Sequence, residues 1–300
     1  MPGKSKMKNL IIVTGGAGFV GSNLIELLLK KTKYQIISLD NYSSGSKKNH
    51  LKNKRVKYLK GHTLQIQKIL NKYKKNIKSI FHFGEFSRIY QSFKKYRECF
   101  DYNLFQTSKV IEFAKNNNIK IIYSATSSNL GNDGKDENLS PYAWSKTKNI
   151  ELIKNYNKWF GLKFEIIYFY NVYGPGQIVN SSMAAVIGIF ETQYKKKLPL
   201  TVVSPGTQKR DFTHIDDIVR GCYLAWKKGN QNSYMLGTKK KYTILEIAKM
   251  YKSQIKYLPP RPGDRTSSTI INNNAKNILG YETTIDIKDY IKTFKLNFKY

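Results

Sequence analysis

Short apolar runs alternate with amphipathic stretches along the first half of the chain. Runs rich in Ile, Val and Leu predict strands, whereas apolar residues spaced three or four positions apart predict helices. The predicted strands are 10–14, 35–40, 56–59, 79–83, 119–124 and 164–170. The predicted helices are 19–31, 64–73, a long segment that ends at 116, and 141–160. Strands that alternate with helices are typical of βαβ units, so the pattern predicts an α/β fold with a parallel sheet.

The alternation stops after Asn171, where Tyr173-Gly-Pro-Gly176 indicates a turn. Farther along, residues 215–227 are predicted to form a helix that returns to the sheet, and the end of the chain mixes short helices with loops. No low-complexity linker separates the two halves. We therefore expect two lobes in one chain. The first, a cofactor-binding lobe, comprises 1–171 with 207–238, and the smaller C-terminal α/β lobe, which binds substrate, comprises 172–206 and 239–300.

Composition and charge limit the classes of function. The chain has 300 residues, of which 40% are hydrophobic, and it can therefore bury a substantial core. The formal net charge of +32 makes nucleic acid a candidate partner, because basic surfaces attract phosphate. The basic residues are mostly Lys scattered along the chain, however, whereas nucleic-acid readers generally use Arg as well. We expect a solvated basic surface that helps to collect an anionic substrate, without a specific nucleic-acid partner.

Membrane insertion and metal binding are not expected. The apolar stretches are far shorter than the ~20 residues of a membrane span. The basic start of the chain runs directly into a predicted strand without a small-residue cleavage site, so we expect no signal peptide and a cytoplasmic location. Cys99 and Cys222 lack metal-ligand spacing, and we expect idle thiols in a reducing compartment and no metal site.

The segment Thr14-Gly-Gly-Ala-Gly-Phe-Val-Gly21 connects the first predicted strand to the first predicted helix. Its glycines allow a tight turn, close approach of the backbone to a pyrophosphate, and close packing of helix on strand. N–H groups at a helix N-terminus bind anions, so the segment predicts a dinucleotide site. Asp40 ends the second predicted strand, where a carboxylate accepts ribose hydroxyls and repels a 2′-phosphate. NAD is therefore favoured, while Lys47 and Lys48 keep NADP as an alternative.

Tyr142 and Lys146 lie four residues apart on a predicted helix, which places them on one face. A phenol ordinarily loses its proton near pH ~10, too high for a base at neutral pH. A neighbouring ammonium group and the positive charge of an oxidised nicotinamide stabilise the phenolate. The pair follows the glycine-rich segment and the strand that ends in Tyr123-Ser-Ala-Thr126. This order predicts an acid–base centre beside the dinucleotide.

Ordered motifs over nearly the whole chain resemble the extended short-chain dehydrogenase/reductase family. The resemblance is to its NAD-dependent nucleotide-sugar epimerases and dehydratases, which include UDP-glucose 4-epimerase. The motifs are Thr14–Gly21, Leu39–Asn41, His82–Gly84, Ser124–Thr126, Tyr142–Lys146, Tyr168–Gly174, Arg210–Asp217 and Arg261–Asp264. The resemblance implies a Rossmann-type doubly wound parallel sheet, bound NAD and a nucleotide-sugar substrate. It also implies a homodimer formed through long helices, and a role in polysaccharide or glycoconjugate synthesis.

The resemblance implies a role for each matching residue. Tyr142 is the expected acid/base on the sugar hydroxyl, Lys146 tunes it and holds the nicotinamide ribose, and Thr126 shares the substrate proton. The expected cofactor contacts are Gly15, Gly18, Phe19, Val20, Asp40, Asn41, Phe83, Asn103 and Lys146. The expected substrate contacts are Glu85, Arg88, Asn171, Arg210, Arg261 and Asp264. Among these, the planar arginine forks suit a diphosphate better than Lys does.

Several positions depart from the family pattern. Thr126-Ser-Ser128 stands where family dehydratases carry Thr-Asp-Glu, and the missing carboxylates argue against dehydration and decarboxylation. His62 replaces the usual Asp after the third strand, which leaves the adenine contact there open, and Leu130 replaces a familiar Tyr. Glu85 and Arg88 lie in a stretch that is small and Ala-rich in the family. They are expected near the nicotinamide or the sugar, either as substrate contacts or as an internal ion pair.

We expect a 4-epimerase that acts on a UDP-hexose or UDP-N-acetylhexosamine by transient oxidation at C4. Ser268, four residues after Asp264, matches a position where a bulky residue restricts the sugar pocket, so a small Ser favours room for an N-acetyl group. A nucleotide-sugar 4,6-dehydratase or a keto-sugar reductase of the same family is the alternative. A non-catalytic nucleotide-sensing module is a third interpretation, which the complete Tyr142–Lys146 pair disfavours.

Overall fold

The computed structural model describes residues 9–131, 136–179, 181–263, 267 and 269–298. In this part of the chain seven parallel strands form a large sheet, and four others form two small sheets. The large sheet contains β1 (Leu10–Thr14), β2 (Gln35–Asp40), β3 (Val56–Lys60), β4 (Ile77–His82), β5 (Lys120–Thr126), β6 (Phe164–Phe169) and β9 (Ser233–Leu236). The small sheets contain β7 (Leu200–Val203) with β11 (Ile255–Leu258), and β8 (Lys209–Asp211) with β10 (Lys241–Thr243).

Helices cover both faces of the large sheet and build much of the second lobe. They are α1 (Phe19–Lys31), α2 (Ile66–Leu70), α3 (Ile89–Lys94), α4 (Tyr96–Phe100), α5 (Thr107–Asn116), α6 (Pro141–Phe160), α7 (Val186–Lys195), α8 (Ile215–Lys228), α9 (Ile244–Met250), α10 (Asn274–Leu279) and α11 (Ile287–Leu296). Across the described ranges, every helix is too short or too polar to cross a bilayer.

The strand order of the large sheet is β3-β2-β1-β4-β5-β6-β9. The order runs outward in both directions from β1 and β4, which is the doubly wound Rossmann arrangement, and it confirms the predicted fold class. Ligands of such sheets bind beyond the carboxyl ends of the strands, where the winding direction reverses. The strands are nearly continuous apolar runs because helices bury both faces, and all of β1 is buried.

Separate buried clusters hold the two faces and the second lobe together. On one face, Leu24 and Ile25 of α1 pack in the same cluster as Ile218 of α8. On the other face, Val110 of α5 and Ile153 of α6 cover the sheet. A further cluster in the second lobe contains residues from α7, β7, α9 and α11, namely Phe190, Leu200, Ile247 and Ile291.

The long helix that was predicted to end at Asn116 is interrupted, so this prediction was wrong in detail. Lys95 has non-helical backbone angles between α3 and α4, and Asp101–Gln106 forms a π-helical turn before α5. The hydroxyl of Thr107 donates to the carbonyl of Tyr102 at 3.3 Å, five residues earlier. Such turns are frequent at functional sites. Here the turn leaves Asn103 fully buried.

The burial of the two cysteine thiols can be tested by chemical labelling. Cys99 and Cys222 are unbridged and buried, and burial raises the pKa of Cys99 to about 11 and that of Cys222 further. Because the thiolate is the reactive form, we expect neither thiol to react with a chromogenic disulfide at about pH 8 in the folded protein. Both should react after unfolding in guanidinium chloride. Rapid labelling of either thiol before unfolding would contradict the described packing.

Candidate active site

A cavity of about 500 Å³ lies beyond the carboxyl ends of the large sheet and extends to the second lobe. It brings together most of the residues that the sequence predicts for the site. Those that line it are Gly15, Gly18, Phe19, Val20, Asp40, Asn41, Phe83, Glu85, Arg88, Thr126, Tyr142, Lys146, Asn171, Arg210 and Arg261. Asn103 is buried outside the lining, and Asp264 and Ser268 lie outside the described residues.

The glycine-rich loop sits where the ends of β1 and β4 meet. Gly15 has a φ of +68°, and a Cβ atom there would lie 2.8 Å from the backbone of Phe83 and Gly84. A Cβ atom on Gly21 would lie 2.2 Å from the carbonyl oxygen of Gly15, so α1 can pack this closely only through glycine. Gly18 begins α1 without a side-chain cap. The cradle therefore fits a pyrophosphate, which N–H groups at a helix start bind well.

Asp40 fixes the loop from the end of β2. Its carboxylate accepts hydrogen bonds from the backbone N–H of Ala17 at 2.9 Å and of Tyr42 at 2.7 Å, and the residue is 6% exposed. A buried carboxylate suits the hydroxyls of a ribose and repels a phosphate in the same place. His62 lies 3.4 Å from the side-chain amide of Asn41, at the edge of this half of the cavity. These residues fit a dinucleotide.

Tyr142 lies in the first turn of α6, which has a well-defined start. The hydroxyl of Ser140 accepts the N–H of Ala143 at 3.1 Å, and Pro141 occupies the first turn, a favourable helix beginning. Tyr142 is 8% exposed and packs against Phe86. The helix start thus holds the Tyr142 ring at the wall of the cavity.

Thr126 ends β5 on the same cavity as Tyr142. Its hydroxyl donates to the hydroxyl of Ser128 at 3.0 Å and accepts the N–H of Ser128 at 3.1 Å. Ser127 and Ser128 also line the cavity, so hydroxyl groups occupy the positions at which dehydratases were expected to carry carboxylates.

Lys146 follows Tyr142 by one turn, and its side chain is 4% exposed. Its ammonium group donates to the carbonyl oxygen of Ser124 at 2.6 Å and forms an ion pair with Glu85. The sequence left open an internal ion pair between Glu85 and Arg88, but in the structure Glu85 pairs with Lys146. Arg88 instead donates to the carbonyls of Ser87 and Met183.

Glu85 has further polar partners that sequence analysis did not single out. One carboxylate oxygen accepts from the hydroxyl of Tyr123 at 3.0 Å, the amide of Asn149 at 3.1 Å and the hydroxyl of Thr107 at 3.2 Å. Burial raises the pKa of Glu85, while the ammonium group of Lys146 and these donors oppose the rise. The sequence did indicate such partners, because Glu85 follows shortly after an apolar strand and a buried glutamate requires polar neighbours.

Asn103 lies outside the cavity lining and hydrogen-bonds to two segments that each contribute residues to it. Its side-chain oxygen accepts the N–H of Phe86 at 2.7 Å, and its amide donates to the hydroxyl of Ser145 at 3.0 Å. These bonds tie the segment after β4 to α6. A direct contact between Asn103 and the cofactor stays a prediction.

Two arginines and an asparagine also line the cavity. Arg210 is 8% exposed and lies on β8, and the guanidinium group of Arg261 stacks over the ring of Tyr90 at 5.2 Å. The Asn171 side chain donates to the carbonyl of Asp211 at 2.7 Å. Guanidinium groups in such a wall suit a diphosphate, whose oxygens accept paired hydrogen bonds.

Residues 11–237 match the protein family described as the NAD dependent epimerase/dehydratase family. The chain belongs to this family. The resemblance drawn from the motifs is thereby confirmed, and the cofactor of the protein is NAD. The glycine cradle and the buried Asp40 fit that cofactor.

Proteins similar to this chain carry different activities. A putative UDP-glucose 4-epimerase of Methanocaldococcus jannaschii is 28% identical over 94% of this chain and 96% of its own length. UDP-glucuronic acid decarboxylase 6 of Arabidopsis thaliana is 26% identical over 96% of this chain and 88% of its own length. A solved UDP-glucuronic acid 4-epimerase from Bacillus cereus, in complex with UDP-glucuronic acid and NAD, is 26% identical. It covers 96% of this chain and 99% of its own, with a TM-score of 0.86.

The position of Asp40 leads to a prediction about cofactor choice. We expect Asp40→Asn to bind NAD about tenfold more weakly and to discriminate less against NADP, because the charge that favours ribose hydroxyls over a phosphate is lost. Calorimetric titration of cofactor-free protein with NAD and NADP measures both affinities. Asp289→Asn, on the exposed side of α11, is the matched control and should bind like the original protein. Equal binding of both cofactors by the unmodified protein would refute this role.

Proposed function

We propose that the protein is a nucleotide-sugar 4-epimerase that acts on a UDP-hexose or UDP-N-acetylhexosamine by transient oxidation at C4. The observation that carries this proposal is the meeting of Thr126, Tyr142 and Lys146 on the cavity that also contains the glycine cradle. Ser127 and Ser128 complete this wall with hydroxyl groups. A hydroxyl cannot replace the carboxylates that remove and deliver protons during loss of water, and this disfavours a 4,6-dehydratase.

In the proposed mechanism, Tyr142 takes the proton of the sugar 4-hydroxyl, and Thr126 hydrogen-bonds to the same oxygen. Lys146 stabilises the phenolate form of Tyr142 and holds the nicotinamide ribose. NAD, which the glycine cradle and Asp40 would hold, would supply the reversible hydride chemistry at C4. Arg210 and Arg261 hold the diphosphate, so the sugar can turn while the nucleotide stays in place.

The substrate class is supported by the similar proteins. The Methanocaldococcus jannaschii relative is named as a putative UDP-glucose 4-epimerase, and the Bacillus cereus enzyme was solved with a UDP-sugar and NAD. Arg210 and Arg261 line the cavity and provide the guanidinium groups that suit a nucleoside diphosphate. We likewise propose the division into two lobes. Residues 1–171 and 207–238 would bind the cofactor, and residues 172–206 and 239–300 would bind the substrate.

We also propose a homodimer that forms through the segment 98–116 and α6. Phe105 is 63% exposed on this segment, and Trp159 and Phe160 at the end of α6 are 58% and 53% exposed. Apolar surface of this kind on adjoining helices is suited to a second copy of the chain. Light scattering of the eluting protein should give twice the mass of one chain.

Proton NMR of the purified protein in D₂O tests the reaction. We expect a new anomeric signal at a stable equilibrium when a UDP-hexose or UDP-N-acetylhexosamine is added without cofactor, and no deuterium in the sugar. Better turnover of the N-acetylated sugars would agree with the small Ser268. Loss of water with entry of deuterium would reveal a dehydratase instead. Turnover that requires a keto sugar and added reduced nicotinamide would reveal a reductase.

Removal of the phenol hydroxyl tests the proposed base. Tyr142→Phe should lower kcat by about 10²–10⁴-fold, the usual contribution of a positioned acid–base group. Thermal unfolding and the content of bound NAD should remain close to those of the original protein. Tyr257→Phe removes a half-exposed hydroxyl from β11 and should keep full turnover. Full turnover by Tyr142→Phe would rule out the mechanism.

A further inference from the structure

The carboxylate of Glu85 is buried directly behind the proposed acid–base pair, with 2% of the side chain exposed. In the described part of the chain, Lys146, Tyr123, Asn149 and Thr107 surround it with donors. The side-chain nitrogens of Lys146 and Asn149 can only donate hydrogen bonds. The arrangement is therefore satisfied by an ionised carboxylate and a charged lysine.

The ion pair fixes Lys146 in two ways. Glu85 and the carbonyl oxygen of Ser124 each accept one of its three N–H bonds, and the ammonium group also lies over the ring of Tyr123, 4.8 Å from its centroid. Glu85 follows β4, whereas Ser124 belongs to β5, so the lysine is tied to two neighbouring strands. A long flexible side chain is thereby restricted to one position beside Tyr142.

The ion pair also changes the electrostatics of the site. A lone buried ammonium group would act strongly on a phenol one helical turn away, because charges inside a protein are poorly screened. A carboxylate in contact with that ammonium group leaves a pair with no net charge. The stabilisation of a Tyr142 phenolate by Lys146 is then smaller than beside an unpaired lysine.

The other titratable groups around the pair do not change charge near neutral pH. Burial lowers the pKa of His82 to about 3, so this imidazole stays neutral between Thr14 and Thr107. Burial raises the pKa of Cys99 to about 11 and that of Tyr123 well above its usual value. Arg88 remains cationic, as guanidinium groups do in proteins.

We propose that Glu85 is a positioning residue that anchors Lys146 and offsets its charge, so that Tyr142 keeps its proton to a higher pH than beside an unpaired lysine. The inference rests on the proposed role of Tyr142 as the base. It assigns Glu85 to the control of the lysine rather than to direct contact with the sugar.

The variant Glu85→Gln tests the inference, because it removes the charge and keeps the shape. The acid limb of kcat/KM against pH should move to lower pH by about one unit, the effect of a partly screened charge a few ångströms away. The maximal kcat should fall several-fold because Lys146 is less firmly anchored. Glu85→Ala is a second charge-free variant, to be used if the glutamine variant does not fold, and it should displace the limb in the same direction. Glu85→Asp keeps the charge, so the acid limb of its kcat/KM profile should lie at the same pH as that of the original protein.

Glu165→Gln is the matched control. Glu165 is a second buried glutamate paired with a lysine, with its carboxylate 2.7 Å from Lys120, and it lies outside the cavity lining. Its loss should lower the thermal stability and leave the pH profile of turnover in place. If Glu85→Gln also lowered the thermal stability and left the pH profile in place, the role of Glu85 would be structural alone. That result would overturn the inference.

A second readout separates the inference from the proposed reaction. The absorbance of tyrosinate near 295 nm, measured on the NAD-bound protein and corrected with Tyr142→Phe, follows the ionisation of Tyr142 without turnover. Its midpoint should lie at lower pH in Glu85→Gln than in the original protein. A shifted midpoint in a protein that turns over none of the sugars would uphold the role of Glu85 and reject the epimerase. An unchanged midpoint in both charge-free variants would reject the role of Glu85.

Discussion

The ammonium group of Lys146 is buried at the carboxyl edge of the large sheet, and such a charge requires an opposite charge and hydrogen-bond acceptors nearby. Glu85 and the carbonyl oxygen of Ser124 provide them. Because Ser124 belongs to β5, Glu85 to the segment after β4 and the lysine to α6, their bonds join helix and sheet at the proposed reaction centre. Tyr142, one turn earlier on α6, is held by the same arrangement. Tyr142 and Lys146 both line the cavity at this point.

The cofactor half of the site is organised by close backbone packing. Gly15 and Gly21 allow the loop after β1 to touch both the segment after β4 and the start of α1. Asp40 then fixes the loop through the N–H of Ala17. The two halves lie side by side because the carboxyl ends of parallel strands share one edge of the sheet. The fold thus brings the glycine cradle and the proposed acid–base pair to a single cavity.

Predictions from the sequence were most accurate where a residue pattern is compatible with a single local structure. The apolar runs predicted six of the seven strands of the Rossmann sheet and missed β9, and the cap formed by Ser140 agrees with the predicted start of α6. The π-helical turn at Asp101–Gln106 was missed, because apolar periodicity does not reveal one extra residue in a turn. The lysine partner of Glu85 was also missed, since the pairing depends on how strands and helix meet in space. Residues far apart along the chain, Thr107 and Asn149 among them, complete that pairing.

The central claim, transient oxidation at C4 with return of the same hydride, is tested most directly with a nucleotide sugar that carries deuterium at C4. The protein is incubated with this sugar in ordinary water and without added cofactor, and the product is analysed by NMR and mass spectrometry. Our account predicts that the epimer retains the deuterium at C4 and that its formation is slowed by the isotope. Loss of the label to solvent, or conversion of the sugar without any change at C4, would contradict the account.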